Sequence, residues 1–222
     1  MQAGGLLKVG QRCWREWLNP GQDQSLSLTA ALSAPRLTGR LKSTTRELSW
    51  QFLLAGTQDC SAMTIAVDVS PSSDRELVLA RIIDAPPEKL FRAWTEPELL
   101  MQWFTPRPWT VSLAQTDVRA GGSSLIVMRS PDGEAFPNRG VYLEVVPNER
   151  IVLTDAYTEA WEPSEKPFMT AILTFEDLNG RTKYTARVRH WTVADREAHE
   201  KMGFHEGWAK ATDQLAELVA TL

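Results

Sequence analysis

Met169-Thr170-Ala171-Ile172-Leu173-Thr174-Phe175, then Asn179-Gly180, then Tyr184-Thr185-Ala186-Arg187-Val188-Arg189-His190, is the stretch that decides the fold. A two-residue Asn-Gly loop of type I′ joins antiparallel strands and fixes their register, because residues numbered symmetrically about it must face each other. Phe175 then pairs with Tyr184, Leu173 with Ala186, Ala171 with Val188 and Met169 with His190. The opposite face pairs Thr174 with Thr185, Ile172 with Arg187 and Thr170 with Arg189. One face is apolar and the other mostly polar, so this hairpin covers a core on one side only. A slip of one residue would mismatch the two faces.

Upstream, short β-like runs are separated by turn chemistry at Gly121-Gly122, Pro131-Asp132-Gly133 and Pro147-Asn148-Glu149, which predicts an antiparallel meander. A first strand runs from Glu76 to Asp84 and stops at Ala85-Pro86-Pro87, because proline cannot donate to a ladder. Pro87 suits a first helical turn, and Leu90, Phe91 and Trp94 follow at helical spacing. Thr95-Glu96-Pro97-Glu98 fits a capping box with Thr95 as N-cap, opening a second short helix through Leu99, Leu100 and Trp103.

Downstream, Thr192 with Asp195 caps a long helical segment reaching about Val219. Its stripe is Ala198, Met202, His205, Ala209, Thr212, Ala216 and Val219, with Trp208 and Leu215 beside it. Gly203 and Gly207 each cost about 1 kcal/mol inside a helix, which points to a kink or a close approach there. The elements together predict an α+β domain: a curved antiparallel sheet wrapped around a long C-terminal helix, with two short helices after the first strand.

The other end of the chain reads differently. Residues 1–62 hold seven Lys/Arg against four acids, so they carry +3 and the remainder −7 of the net −4. They show no sustained period of two or 3.6, and the expectation is a poorly ordered extension, not part of the native product if Met63 is the true start. The folded domain is then 63–222.

Bulk properties exclude several functions. A net charge of −4 offers no basic footprint for phosphates, so nucleic acid is not an expected partner. No apolar run approaches the roughly 18 residues of a membrane span, and a cytoplasmic protein is the expectation. Both cysteines, Cys13 and Cys60, precede the domain, which leaves it without a disulfide, a thiolate zinc site or a thiol nucleophile. No nucleophile elbow or Walker-type loop appears, and Gly121-Gly122 is not followed by the strand-to-helix step of a phosphate loop. No cofactor and no metal are expected.

Taken in order, Ala85-Pro86, Trp94-Thr95-Glu96-Pro97-Glu98, Asp117-Val118-Arg119-Ala120-Gly121-Gly122, Gly140-Val141-Tyr142, Pro147-Asn148-Glu149-Arg150 and Gly207-Trp208 resemble the family named after the activator of the heat-shock protein 90 ATPase. That family lies within the START-like, or SRPBCC, superfamily, and the resemblance covers about residues 74–221. It implies a helix-grip fold with an internal hydrophobic cavity. Superfamily members bind lipids, hormones or polyketides, or catalyse cyclisation, and membership does not choose among these. The named eukaryotic member acts on a chaperone through a separate N-terminal domain, to which residues 1–62 show no likeness.

Two independent periodicities, the hairpin and the helix stripe, place Met169, Tyr184, His190, Met202 and His205 on the wall of a cavity between helix and sheet. Trp103, Phe104 and Trp109 flank Pro106 and Pro108 and read equally as a lid or as core filler. The candidate ligand-contacting set is therefore Trp103, Trp109, Met169, Tyr184, His190, Met202, His205 and Trp208. His199 falls on the helix's outer flank, and neither His190 nor His205 shows metal-ligand spacing with a third donor. Asp117 and Arg119 read as a same-face structural pair on a strand. The leading expectation is a domain that binds a small hydrophobic or amphipathic molecule. The alternatives are an enzyme of the polyketide-cyclase type using the same cavity, with His190, His205 or Tyr184 as acid–base groups, and a module that contacts a chaperone, another protein or a second copy of itself.

Overall fold

The computed structural model describes residues 64–222. The N-terminal stretch 1–62 and its boundary at Met63 lie outside the described residues. After the two-residue strand β1 (Ile65–Ala66) come β2 (Glu76–Ile83), α1 (Pro87–Thr95) and α2 (Pro97–Trp103). Five strands follow: β3 (Thr110–Thr116), β4 (Ser123–Arg129), β5 (Ala135–Val146), β6 (Arg150–Thr154) and β7 (Met169–Asp177). Strand β8 (Thr182–His190), α3 (Val193–Lys201) and α4 (Phe204–Thr221) close the chain.

Strands form one antiparallel sheet in the order β1-β2-β8-β7-β6-β5-β4-β3. Because β2 pairs with β8, the first long strand joins the last hairpin and the meander runs outward from it to β3. Each register pair expected of the β7–β8 hairpin is present, from Phe175 opposite Tyr184 to Met169 opposite His190. Asn179 and Gly180 have φ of 59° and 88°, the positive pair that a type I′ turn demands. The three upstream turns fall between β3 and β4, β4 and β5, and β5 and β6.

Two local expectations are corrected. Thr95 is the last residue of α1 and donates its Oγ1 hydrogen bond back to the Phe91 carbonyl at 2.8 Å, so no capping box opens α2. Pro97 is the reason: a residue before proline is driven out of the helical region, and Glu96, at φ −84° and ψ 116°, marks the boundary instead. The long C-terminal helix is also two helices. Thr192 and Asp195 form the expected capping box of α3, but Gly203 at φ 89° ends it and starts α4 on a new phase.

That reset changes which residues face inward. Carrying a 3.6 period across the break puts Met202 and His205 inside; in the structure Phe204, Gly207, Ala211, Leu215 and Val219 are the buried stripe, Met202 is half-buried and His205 is exposed. The C-terminal half of the expected stripe, Thr212, Ala216 and Val219, is buried as anticipated. α4 thus lies across the inner sheet face, packing with Leu77, Leu79, Ile151, Leu173, Tyr184 and Ala186 in the main core. A second core under the far end of the sheet joins Leu100 and Trp109 to Val111, Ile126, Met128 and Phe136.

Candidate functional site: an apolar pocket under the C-terminal helix

Between α4, the α1–α2 pair and the inner face of β6, β7 and β8 lies a cavity of about 50 Å³. Its deep end is made by buried Trp94, Trp103, Ala171, Tyr184, Ala211 and Thr212, and its mouth by half-buried Phe104, Leu153, Met169 and Trp208. No charged side chain lines it. An apolar site that accepts benzene measures about 150 Å³, so this space holds a group of a few heavy atoms unless the mouth widens.

Three segments hold the walls. Asp155 folds its carboxylate back onto the start of β7, accepting from the backbone N–H of Phe168 at 2.9 Å and of Met169 at 3.0 Å, which seats Met169 at the mouth. Burial raises the Asp155 pKa while those donors oppose the rise. From α4, the buried Gln214 donates to the carbonyls of Trp103 at 2.9 Å and Thr105 at 2.7 Å, and accepts from Arg107 N at 2.9 Å. One side chain therefore clamps the segment that carries Phe104. Trp94, the third support, packs edge-on against Trp103 and Phe104 and stacks with Tyr184.

Polar atoms on this wall are few. Thr212 donates its hydroxyl to the Trp208 carbonyl at 2.7 Å, and Trp103 donates its indole N–H to the Ala93 carbonyl at 3.0 Å. Tyr184 is 1% exposed, and burial pushes its pKa well above the usual phenol range. The Trp94 N–H lies near enough to that hydroxyl to hold the rise back, yet it completes no hydrogen bond and is itself buried. Most buried polar groups find a partner, and an orphaned one costs about 1–3 kcal/mol.

Of the eight residues expected to contact a ligand, Trp103, Met169, Tyr184 and Trp208 line this cavity. The other four lie elsewhere. Trp109 belongs to the second core, beside Phe136. Met202 sits at the break between α3 and α4, and His205 faces out beside Arg196 and Glu200 on a polar groove along β2. His190 turns toward α3, where its Nε2 meets His199 Nδ1 at 2.9 Å and its Nδ1 meets the Arg75 carbonyl at 3.1 Å. His199, expected on an outer flank, is 3% exposed. Asp117 and Arg119 do pair, at 2.8 Å, but in the turn after β3 and exposed, where such a pair is worth about 0–1 kcal/mol.

Carbonyl contact fixes the protons of the histidine pair: His190 Nδ1–H donates to Arg75, so His190 Nε2 accepts from His199 Nδ1–H. Both rings are neutral. Burial lowers the His190 pKa; burial, then the neighbouring His190 and His205, push His199 down to about 3. Asp195 opposes and Arg196 reinforces the shift at His190. Because the unfolded chain takes up these protons near pH 6.5 and the folded one does not, stability is complete above pH 6.5 and falls as pH drops below it. The expected loss at His199 is about 2 kcal/mol by pH 5. Urea midpoints at pH 7 and pH 5 check it, with His199→Gln expected to flatten the difference.

Sequence reasoning missed Trp94 as a wall residue, although it stands four residues after Leu90 on the buried side of α1; spacing marks burial but not an unfilled neighbour. Leu153, Ala171, Ala211 and Thr212 were also missed, being ordinary core positions by pattern.

Residues 84–220 match the family described as Activator of Hsp90 ATPase homolog 1-like protein. No curated protein matches the chain. Among solved structures it is similar to a protein from Nitrosomonas europaea, at 39% identity and a TM-score of 0.66 over 68% of this chain and 97% of that one. A Staphylococcus epidermidis protein is 26% identical with a TM-score of 0.59, over 68% and 93% of the two chains. One from Rhodobacter sphaeroides, at 22% identity and a TM-score of 0.62 over 72% and 100%, shows the fold alone. Sheet order, helix placement and the match over most of the described residues agree, and the chain belongs to the Activator of Hsp90 ATPase homolog 1-like protein family, with its helix-grip, START-like fold.

Proposed function

We propose that this domain binds a small, neutral, apolar or amphipathic molecule head-first in the pocket between α4 and the sheet. The observation that carries the reading is a buried, nearly wholly apolar space whose mouth is lined by half-buried aromatic and aliphatic side chains. Acid–base catalysis by His190 or His205 gains no support, since neither reaches the pocket. Among the described residues no group of three metal-binding side chains exists, and no helix is long and apolar enough to cross a membrane. A cytoplasmic site of action fits the reading, and contact with a chaperone or a second copy would use the outer surface.

Ala211 tests the site because its methyl points into the space and its neighbours are apolar. Ala211→Leu is expected to fill the pocket, weaken binding of an apolar fluorescent probe at least tenfold, and cost about 1–3 kcal/mol of stability through overpacking. Probe titrations with matched melting curves measure it. Unchanged affinity in a folded variant would move the ligand site elsewhere and favour the interaction module.

A further inference from the structure

We infer that α3 is a proton-operated latch: a neutral His190–His199 pair holds the helix against β8, and protonation of that pair frees it and loosens the pocket mouth. The effect on the pocket rests on the ligand-binding reading above, whereas the latch stands without it. Its basis is how little else anchors α3. Of the nine residues from Val193 to Lys201, His199 is the one whose side chain is buried. The helix also ends at a hinge, since Gly203 at φ 89° separates it from α4. Its anchor is therefore a histidine, the side chain whose charge ordinarily changes between about pH 5 and pH 8.

The pair accommodates its present protons and resists another. Because His190 Nδ1–H donates to the Arg75 carbonyl and His199 Nδ1–H to His190 Nε2, a proton added to His190 must go on Nε2, where it would face a second N–H at 2.9 Å. One added to His199 must go on Nε2 and would charge a ring packed among Phe168, Phe204 and His190. The charged groups nearby do not reverse this. On α3, Asp195 favours charge at His190 and Arg196 opposes it, while the Asp195 carboxylate is engaged in the Thr192 cap. Glu197 and Glu200 pair with Arg196. From α4, His205 adds repulsion at His199. Before β2, Arg75 donates its Nη1 to the Trp191 carbonyl, and between β6 and β7 Asp155 accepts from the Phe168 and Met169 N–H groups. In the freed helix both rings meet water and take up protons near the ordinary value of about 6.5.

Two aromatic side chains carry the effect to the pocket. Phe168 lies 5.4 Å from the His190 ring and 5.2 Å from His199, and the next residue, Met169, stands at the mouth. Phe204 lies 5.0 Å from His199 and 5.2 Å from Trp208, which forms the other side of the mouth. When α3 leaves, both lose the surface they pack against. Arg196, which donates its Nε to the Asp74 carbonyl at 3.2 Å, is a tie that this pH range leaves unchanged.

The experiment measures amide hydrogen exchange of the full chain at pH 7 and pH 5, corrected for the intrinsic rate, and titrates it at both with acetophenone, a neutral compound that does not itself titrate. Each proton taken up only by the freed helix raises its opening constant about 25-fold over this interval. Protection of the α3 amides is therefore expected to fall by at least about 25-fold, with weak urea dependence because a local opening exposes little surface, while amides at the centres of β7 and β8 stay better protected. Acetophenone should bind at least about threefold more weakly at pH 5, because only molecules with α3 docked keep the mouth intact. His199→Gln can donate to or accept from His190 and carries no charge, so α3 protection and affinity should then each change less than about threefold. His190→Gln should behave alike and carries the test if the first variant does not fold. Unchanged α3 protection in the native protein would overturn the latch. An acid response that persists in both variants would assign it to another group, with Asp155 the nearest, and would overturn the role of the pair. Opening of α3 with equal acetophenone affinity at the two pH values would overturn the link to the pocket. If acetophenone binds at neither pH, the binding reading falls and hydrogen exchange alone decides the latch.

Discussion

Replacing Gly122 with Ala is expected to lower the unfolding free energy by about 4 kcal/mol or more, the largest single effect of any conservative change in the domain. A Cβ at this position would stand 1.9 Å from the Asp117 carbonyl oxygen and 2.9 Å from its carbon, inside backbone that has no room to retreat. The turn is tied on both sides: Asp117 N donates to the Ser123 carbonyl, Gly122 N to the Arg119 carbonyl and Tyr142 N to the Gly122 carbonyl. Relief of the clash would therefore strip hydrogen bonds from β3, β4 and β5 together. Gly121 differs in kind. It sits at φ 81° beneath the Trp161 ring, 3.2 Å from an added Cβ, and Gly121→Ala should cost only about 1–2 kcal/mol because the obstacle is a side chain. Urea denaturation of the two variants distinguishes them; equal, small losses would show that the turn can open.

Gln214→Leu is the second large effect, expected at about 3 kcal/mol. The substitution keeps the volume near constant but orphans three backbone groups at once, the carbonyls of Trp103 and Thr105 and the Arg107 N–H. Each buried, unsatisfied group costs about 1–3 kcal/mol, reduced where water can reach it. Since the clamped segment carries Phe104, the loss should be accompanied by weaker probe binding, a coupling that a purely apolar core residue such as Val219 would not show. Denaturation and probe titration of the same variant measure both halves. A stable variant with intact binding would mean that the segment is held by packing alone.

How much of this was legible in the sequence depends on whether the information is local. The β7–β8 register follows from Asn179-Gly180 and a period of two, both contained in one stretch, and every expected pair is present. The α3 cap likewise needs only Thr192 and Asp195. The phase of α4 could not be carried across Gly203: a residue at φ 89° breaks the helix, and the rotation it introduces is set by tertiary packing. That one break accounts for His205 facing solvent and Phe204 facing the core. His190 was placed on the inner side by register, yet which partner it meets there depends on α3 folding back along β8, a contact that no periodicity encodes. For the pocket, pattern separates buried from exposed, and Trp103, Met169, Tyr184 and Trp208 are buried or half-buried in it. Telling a filled core from one with a 50 Å³ gap needs the packing itself, which is why Trp94 was passed over.

A crystal structure of the protein grown with acetophenone tests the central claim most directly. The account predicts the compound in the space between Ala211 and Ala171, with its ring at the mouth beside Trp208 and Phe104. An empty pocket, with the compound bound elsewhere or with the Trp208 and Phe104 side chains collapsed to close the space, would contradict it.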